Sequence, residues 1–177
     1  MSRQTITVFR KFPKELFRAT NGSVFQARDK SPERSSYDMI AHEGYVKPLA
    51  LDPTTYRSPN GLRMSPNSPF QQYLISRILK RDDVTVFCVP AGTHLPEDLL
   101  LVHELQEVYS LQPAKEMKLS SFDDRVKEFF MQNATVYEKQ MWLKAYPKAT
   151  ENLEQPWWKM RKQMAFARRA YPGPAQQ

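Results

Sequence analysis

Short apolar segments along the chain predict its strands. The run Val84–Val89 is largely apolar on both of the faces that a strand presents, as expected of a buried central strand, and Pro90 ends it. Shorter runs with β-branched or aromatic residues lie before Pro13, before Asn21-Gly22 and before Pro113. Strands are therefore expected at residues 5–10, 15–20, 84–89, 99–102 and 107–112, and we expect 15–20, 84–89 and 107–112 to share one small sheet.

Apolar residues that recur every three or four positions predict the helices. Ser68-Pro69 opens the first helix, because serine is a good N-cap and proline suits the first helical position, and Phe70, Leu74 and Ile78 then share one face. A second amphipathic pattern has acidic residues in its first turn and an apolar side that is expected to pack on the sheet. Helices are expected at residues 68–80, 121–132, 135–145 and 156–170, so the fold class is α+β.

The charge of the chain favours an acidic partner. The formal net charge is +7 at pH 7, which suits nucleic acid, anionic lipid or a nucleotide without choosing among them. Trp157-Trp158 stands at the start of the last predicted helix, and two interpretations stay open: the rings dock on the core, or they stack on bases. Basic residues follow with no acidic residue among them: Lys159, Arg161, Lys162, Arg168 and Arg169.

Several classes of function lack their usual sequence signals. No stretch approaches the ~20 apolar residues of a membrane helix, and the first ten residues lack the apolar core of a secretion signal, so no membrane partner is expected. Cys88 is the lone cysteine and the three histidines are scattered, so no metal is expected. The motifs G-x-S-x-G, G-x-x-x-x-G-K-[ST] and G-x-G-x-x-G are absent, which argues against serine hydrolases, P-loop enzymes and dinucleotide-binding βαβ units.

Three blocks of the sequence together resemble a known toxin family. They are LFRAT at residues 16–20, GLRMSPNSPF at residues 61–70, and VFCVPAGTHLPEDL at residues 86–99 followed by YSLQP at residues 109–113. In this order and spacing the chain resembles, over about residues 16–130, the family named for the second "type six exported" effector, as a fungal-type relative. The resemblance implies the ADP-ribosyltransferase fold, with a small split sheet and flanking helices.

The resemblance also implies roles for particular residues. Arg18 matches the first-strand arginine that holds the ribose and phosphate side of NAD in this fold, and a guanidinium offers bidentate donors to a pyrophosphate. Ser68 matches the serine of a Thr-Ser pair whose threonine is Asn67 here. Glu107 is placed near the start of a late strand, where enzymes of this fold commonly use a glutamate to steady the positive charge formed as nicotinamide leaves. The implied catalytic residues are Arg18, Ser68 and Glu107, and the implied NAD-binding residues are Arg18, Thr20, Gly61, Leu62, Asn67, Ser68 and Phe70.

Purely structural interpretations of these residues stay open. Arg18 sits on a strand whose side chains alternate between faces, so an interpretation as a surface residue stays open. The Ser68 hydroxyl can serve backbone N–H groups alone, as an N-cap. Glu107 does not stand in the Gln/Glu-x-Glu pair of many relatives, which leaves open a nonstandard mechanism or a fold kept for binding without catalysis.

These observations lead to one main hypothesis and one alternative. The main hypothesis is a toxin-like mono-ADP-ribosyltransferase that uses NAD to modify a macromolecular target in the cytoplasm, including that of a cell into which it is delivered, with an immunity protein as a further partner. Residues 1–133 would form the toxin domain, and residues 134–177 a basic helical extension packed on it. The alternative is a non-catalytic basic module that binds nucleic acid or the ribosome through its C-terminal helix.

Overall fold

The computed structural model describes residues 6–22, 27, 38–49, 51 and 61–151. These residues combine helices with antiparallel sheets, which confirms the α+β class. The strands are β1 (Thr7–Phe9), β2 (Leu16–Asn21), β3 (Tyr45–Val46), β4 (Leu62–Met64), β5 (Val84–Val89), β6 (Leu99–Leu105), β7 (Val108–Pro113), β8 (Met117–Lys118) and β9 (Thr135–Glu138). The helices are α1 (Pro69–Tyr73), continued by a π-helical turn (Leu74–Ile78), α2 (Leu119–Asn133) and α3 (Lys139–Ala145).

The strands form two main antiparallel sheets that meet at one point. One sheet has the order β1-β6-β7-β4 and the other β2-β5-β9, while β3 pairs with β8. Phe17 on β2 and Ser65, just after β4, exchange backbone hydrogen bonds of 2.8 and 3.0 Å and so join the two sheets. The sheet is therefore split. Our expectation that residues 107–112 share a sheet with 15–20 and 84–89 is wrong, because β7 pairs with β6 and β4 instead.

β5 lies between two apolar layers, as its sequence predicts. Phe87 and Val89 point into one layer, where the Phe87 ring stacks on Phe130 of α2 at 4.9 Å. Val86 and Cys88 point into the other, beside the fully buried Trp142 of α3. A strand that packs against an apolar core on each face has no side exposed to solvent, which explains why its sequence does not alternate between apolar and polar residues.

The predicted helix at residues 135–145 is wrong over its first four residues. Thr135–Glu138 forms β9, which pairs with β5 from Thr85 to Cys88, and only Lys139–Ala145 is helical. Thr135, Val136 and Tyr137 are β-branched or aromatic residues that favour a strand when a partner edge is available. α2 begins at Leu119 and contains the predicted helix 121–132. The predicted helix 156–170, with its tryptophans and basic residues, lies outside the described residues.

Asn67 ties the start of α1 to the segment that follows α3. Its side-chain amide nitrogen donates to the Lys148 carbonyl at 2.9 Å, and its Oδ1 accepts from the Gln72 amide at 2.8 Å. Its own carbonyl accepts from the backbone nitrogens of Thr150 and Glu151 at 2.9 and 3.1 Å. β9, α3 and the residues up to 151 are thus part of the packed unit. The division at residue 133 remains a prediction.

Cys88 is expected to react with thiol reagents only when the protein unfolds. The side chain is 3% exposed, and burial raises the pKa of its thiol to about 12, so the reactive thiolate is scarce at neutral pH. Labelling by a thiol reagent at pH 8 should be slow in buffer and fast in urea. A variant with Cys88→Ala and Ser76→Cys, which places a thiol at an exposed position, should label at once in buffer. Equally fast labelling of the unchanged protein would contradict the position of Cys88 in β5.

Asn67→Ala is expected to destabilise the fold. The change leaves the Lys148 carbonyl without its Asn67 donor and removes one of the two acceptors of the Gln72 amide, which still donates to the Tyr146 carbonyl, at a cost of about 1–3 kcal/mol in the free energy of unfolding. Urea unfolding measures this loss, and Gln132→Ala, at an exposed position of α2, is the control. If Asn67→Ala lies within about 0.5 kcal/mol of the unchanged protein, the segment 148–151 does not depend on Asn67.

Candidate functional site

Ser68 caps the helix that begins beside the junction of the two sheets. Its backbone is extended (φ −95°, ψ 165°), and its Oγ accepts a hydrogen bond from the Gln71 nitrogen at 3.1 Å. The N-cap interpretation is thus confirmed. Ser68 is fully buried, and its hydroxyl also hydrogen-bonds to the carboxylate of Glu107. Since a hydroxyl accepts and donates at the same time, one oxygen performs both tasks.

Glu107 is a buried carboxylate at the turn between β6 and β7. The preceding residue, Gln106, has φ 47°, an uncommon backbone conformation for a residue with a side chain, and Glu107 is only 2% exposed. Burial raises the pKa of Glu107, while the hydrogen bond with Ser68 and the attraction of Arg63 lower it in part. Glu107 and Ser68, which are distant in sequence, therefore form one local group.

A second carboxylate, Glu104, turns inward from the same hairpin. The register between β6 and β7 shifts between His103 and Leu105, and Glu104 is 2% exposed. It accepts a hydrogen bond from the Ser110 hydroxyl, which in turn accepts from Gln112 Nε2 at 2.7 Å. Gln112 Oε1 accepts from the Leu49 nitrogen at 3.0 Å. This chain of hydrogen bonds fastens β7 to the segment after β3.

Arg18 is buried on β2 and pairs with Asp38. The two side chains are 4% and 5% exposed, with Nη2 and Oδ1 2.9 Å apart. Arg18 Nη1 donates to the Arg63 carbonyl at 3.2 Å, which links β2 to β4. The interpretation of Arg18 as a surface residue is therefore wrong, because its side chain faces the buried carboxylate of Asp38 and not solvent.

Arg63 is a functional candidate that the sequence reasoning missed. It is half-buried on β4, its guanidinium carbon lies 4.7 Å from the centre of the Phe70 ring, and its charge acts on Glu107. The block GLRMS carried a signal, since buried Leu62 and Met64 on one face of a strand place Arg63 on the other. Asp38 had no such signal, because it pairs with a residue of a distant strand.

The remaining predicted NAD-binding residues have clear structural surroundings. The Thr20 hydroxyl donates to the Gly22 carbonyl at 3.2 Å, and Leu62 is fully buried in the core. At Gly61 a Cβ atom would lie 2.6 Å from the Leu111 carbonyl oxygen, so the close approach of β4 to β7 requires glycine. Asn67 is occupied as described above. The structure thus brings together Ser68, Glu107 and Phe70, with Arg18 connected through the Arg63 carbonyl.

The group offers a carboxylate, a hydroxyl and a guanidinium around one end of α1. A fixed anion stabilises positive charge that develops on a neighbouring molecule, and a guanidinium binds phosphate. Among the described residues, no cluster of histidine, cysteine, aspartate or glutamate is arranged to hold a metal ion. The described helices include none that is both long and apolar enough to cross a bilayer.

Comparison with known proteins identifies the family. A search of curated proteins gives no match to the chain. The family model described as the Tse2 ADP-ribosyltransferase toxin matches residues 14–142, well over half of the chain. The match contains β2, β5, β9 and the group around Ser68 and Glu107, and it begins and ends beyond the blocks from which the resemblance was drawn. A specifically fungal affiliation stays a prediction. The chain belongs to the Tse2 family of ADP-ribosyltransferase toxins.

Proposed function

We propose that this toxin cleaves NAD with Glu107 as its catalytic carboxylate and transfers one ADP-ribose to a macromolecule of the target cell. The observation that carries the proposal is the contact between Ser68 and Glu107 at the start of α1. It joins, in space, two residues that the family resemblance singles out separately. An ADP-ribosyltransferase of this family implies NAD as the co-substrate.

The chemistry asks for a negative charge at one place. The bond between C1′ of the ribose and the nicotinamide nitrogen breaks, and nicotinamide leaves with the electron pair, so positive charge develops on the ribose. The ionised carboxylate of Glu107 stabilises that charge and accepts a hydrogen bond from a ribose hydroxyl. A nucleophile of the acceptor then bonds to C1′ and loses its proton. Ser68 holds the carboxylate in place and is itself held by the helix that it caps.

The other predicted residues help to position the group of Ser68 and Glu107. Phe70 is buried in the apolar core with the Arg63 guanidinium over its ring, and Gly61 and Leu62 set the distance between β4 and β7. Asn67 fixes the start of α1. Direct contacts of Thr20, Gly61, Leu62 and Asn67 with NAD remain predictions.

The toxin family supports a proposal for the acceptor and the place of action. We propose that the acceptor is an intracellular macromolecule in the cytoplasm of a cell into which the toxin is delivered, and that the producing cell is protected by an immunity protein. The net charge of +7 favours an acidic acceptor or an acidic protecting partner.

The test of this function is release of free nicotinamide from NAD in the presence and absence of a cell lysate, with labelled NAD to follow transfer to macromolecules. A transferase releases nicotinamide and labels the lysate. Release without labelling indicates a glycohydrolase. If the unchanged protein does neither, the proposed function is wrong.

Glu107→Gln is expected to lower activity and to raise stability. Loss of the charge should reduce nicotinamide release by about 100-fold or more. The pKa of Glu107 is raised in the folded protein, so ionisation of Glu107 lowers the free energy of unfolding at neutral pH. This effect is absent below the pKa of a glutamate in the unfolded chain, ~4.3. In urea unfolding the variant should therefore be more stable than the unchanged protein at pH 8 and equally stable at pH 4.

A matched change at an exposed carboxylate, Glu138→Gln, should leave both the activity and the pH dependence of unfolding close to those of the unchanged protein. A fully active Glu107→Gln protein would remove Glu107 from the mechanism. A variant that is less stable at pH 8 would show that the buried charge is compensated by its neighbours.

Two substitutions of Ser68 separate its capping role from its role beside Glu107. Replacing an N-cap serine by alanine costs about 1 kcal/mol of stability, while glycine costs only a few tenths. Both remove the hydroxyl that hydrogen-bonds to Glu107, so Ser68→Ala and Ser68→Gly should lose nicotinamide release to the same extent, ~10-fold or more, at different stabilities. If Ser68→Gly is as active as the unchanged protein, Ser68 acts only as a cap.

A further inference from the structure

The carboxylate of Glu107 sits on a two-residue turn with an unusual backbone. Leu105 of β6 pairs with Val108 of β7, so Gln106 and Glu107 make the turn between the two strands. Gln106 has φ 47°, and glycine, asparagine or aspartate usually occupies such a position because other side chains strain the backbone there. A residue keeps this conformation only where its surroundings enforce it. The placement of Glu107 therefore depends on the groups that hold the turn.

His103 holds the turn through the peptide bond that precedes Glu107. Its Nε2 lies 2.6 Å from the carbonyl oxygen of Gln106. A carbonyl oxygen can only accept a hydrogen bond, so the imidazole ring donates and carries a proton on Nε2. The same carbonyl belongs to the planar peptide unit that contains the backbone nitrogen of Glu107. The hydrogen bond thus fixes the plane from which Glu107 continues the chain.

The imidazole ring of His103 is itself held in place by the hairpin. It stacks on the ring of Tyr109, with the ring centres 4.4 Å apart and the planes at 17°. Tyr109 is 5% exposed and lies opposite His103 in the pairing of β6 with β7, while Thr7 of β1 is the partner of His103 on the other side. A donor that is already fixed loses little conformational freedom when it forms its hydrogen bond. His103 is therefore well suited to hold a strained turn.

Glu107 is consequently held from two separate elements of the fold. Its carboxylate is hydrogen-bonded to Ser68, which belongs to the cap of α1, and the peptide before it is hydrogen-bonded to His103 of β6. A catalytic group has to be held within ~0.5 Å of its productive position, and side chains that are locked by packing provide this. The two contacts together define where the carboxylate stands.

We propose that His103 is a positioning residue of the reaction, which aims the carboxylate of Glu107 by holding the carbonyl of Gln106. This inference rests on the proposed function, since it concerns how the catalytic carboxylate of that same site is held. His103 acts here through the backbone and not through a contact with NAD. Its loss should therefore slow the chemical step and leave the binding of NAD nearly unchanged.

The first test separates the hydrogen bond of His103 from the stacking of its ring. His103→Phe keeps an aromatic ring over Tyr109 and removes the donor, whereas His103→Gln keeps an amide N–H near the position of Nε2 and removes the ring. In nicotinamide release, His103→Phe should lower kcat by about 10-fold and keep the KM for NAD within about twofold, because a misplacement of ~1 Å costs up to ~100-fold in rate. His103→Gln should keep kcat within about threefold of the unchanged protein.

The control for this test is His94→Phe. It removes an imidazole from an exposed position in the turn after β5 and should leave both kcat and KM unchanged.

The second test asks whether His103 acts through Glu107. In the Glu107→Gln protein, His103→Phe should lower the remaining nicotinamide release by less than about twofold, because the charge whose position His103 sets is already gone. A histidine that only stabilises the hairpin would instead lower the activity by the same factor in both backgrounds.

The outcomes separate this inference from the proposed function. If the unchanged protein releases nicotinamide and His103→Phe keeps its kcat within about twofold, the inference is wrong while the proposed function stands. An equal loss in both backgrounds, or a His103→Gln protein as slow as His103→Phe, also overturns the inference alone. An unchanged protein that releases no nicotinamide overturns both. Should His103→Phe fail to fold, His103→Asn, whose amide ends short of the Gln106 carbonyl, takes its place with the same expected values.

Discussion

The buried ion pair of Arg18 and Asp38 is the contact on which the site depends. Neither residue is near the other in sequence, and both are withdrawn from water, so the charge of each compensates the buried charge of the other. The pair lies where the two sheets meet, close to the backbone exchange between Phe17 and Ser65. Through the Arg63 carbonyl it also fixes the strand from which the helix cap follows. The interior of this small α+β domain is thus polar where the two sheets meet, and the proposed catalytic group lies at that junction.

The hairpin between β6 and β7 contains two more buried charged groups that need polar partners. Glu104 and Glu107 are both almost fully buried, and each faces a serine hydroxyl. Glu104 belongs to a chain of hydrogen bonds that runs through Ser110 and Gln112 to the backbone, so its demand for partners is met inside the protein. Burial raises the pKa of Glu107 by more than Ser68 and Arg63 lower it. A carboxylate in this situation can be stabilised further by a bound ligand.

The sequence predicted the parts of this molecule that depend on local pattern. β5, the cap at Ser68 and the apolar side of α2 follow from periodicity and capping, which are properties of short segments. The sequence-based predictions failed where the structure of a residue depends on a partner that is distant in the sequence. Thr135–Glu138 becomes a strand because β5 offers an edge. α2 begins at Leu119, so Asp123, one of the acidic residues predicted in the first turn of that helix, lies beyond that turn and accepts from the Ala27 nitrogen at 2.7 Å. Within the site, Ser68 and Glu107 came from family resemblance, and Asp38 was beyond both approaches.

The lone cysteine has a consequence for the conditions in which the fold survives. Among the 177 residues Cys88 has no second cysteine with which to form a disulfide, and its thiol is covered by the core. Folding of this chain therefore needs no oxidant, and a reducing environment removes no covalent bond from it. A toxin that leaves one cell and acts in another meets different redox potentials on the way. On the delivery proposed above, no disulfide within these 177 residues would form or break as the redox potential changes.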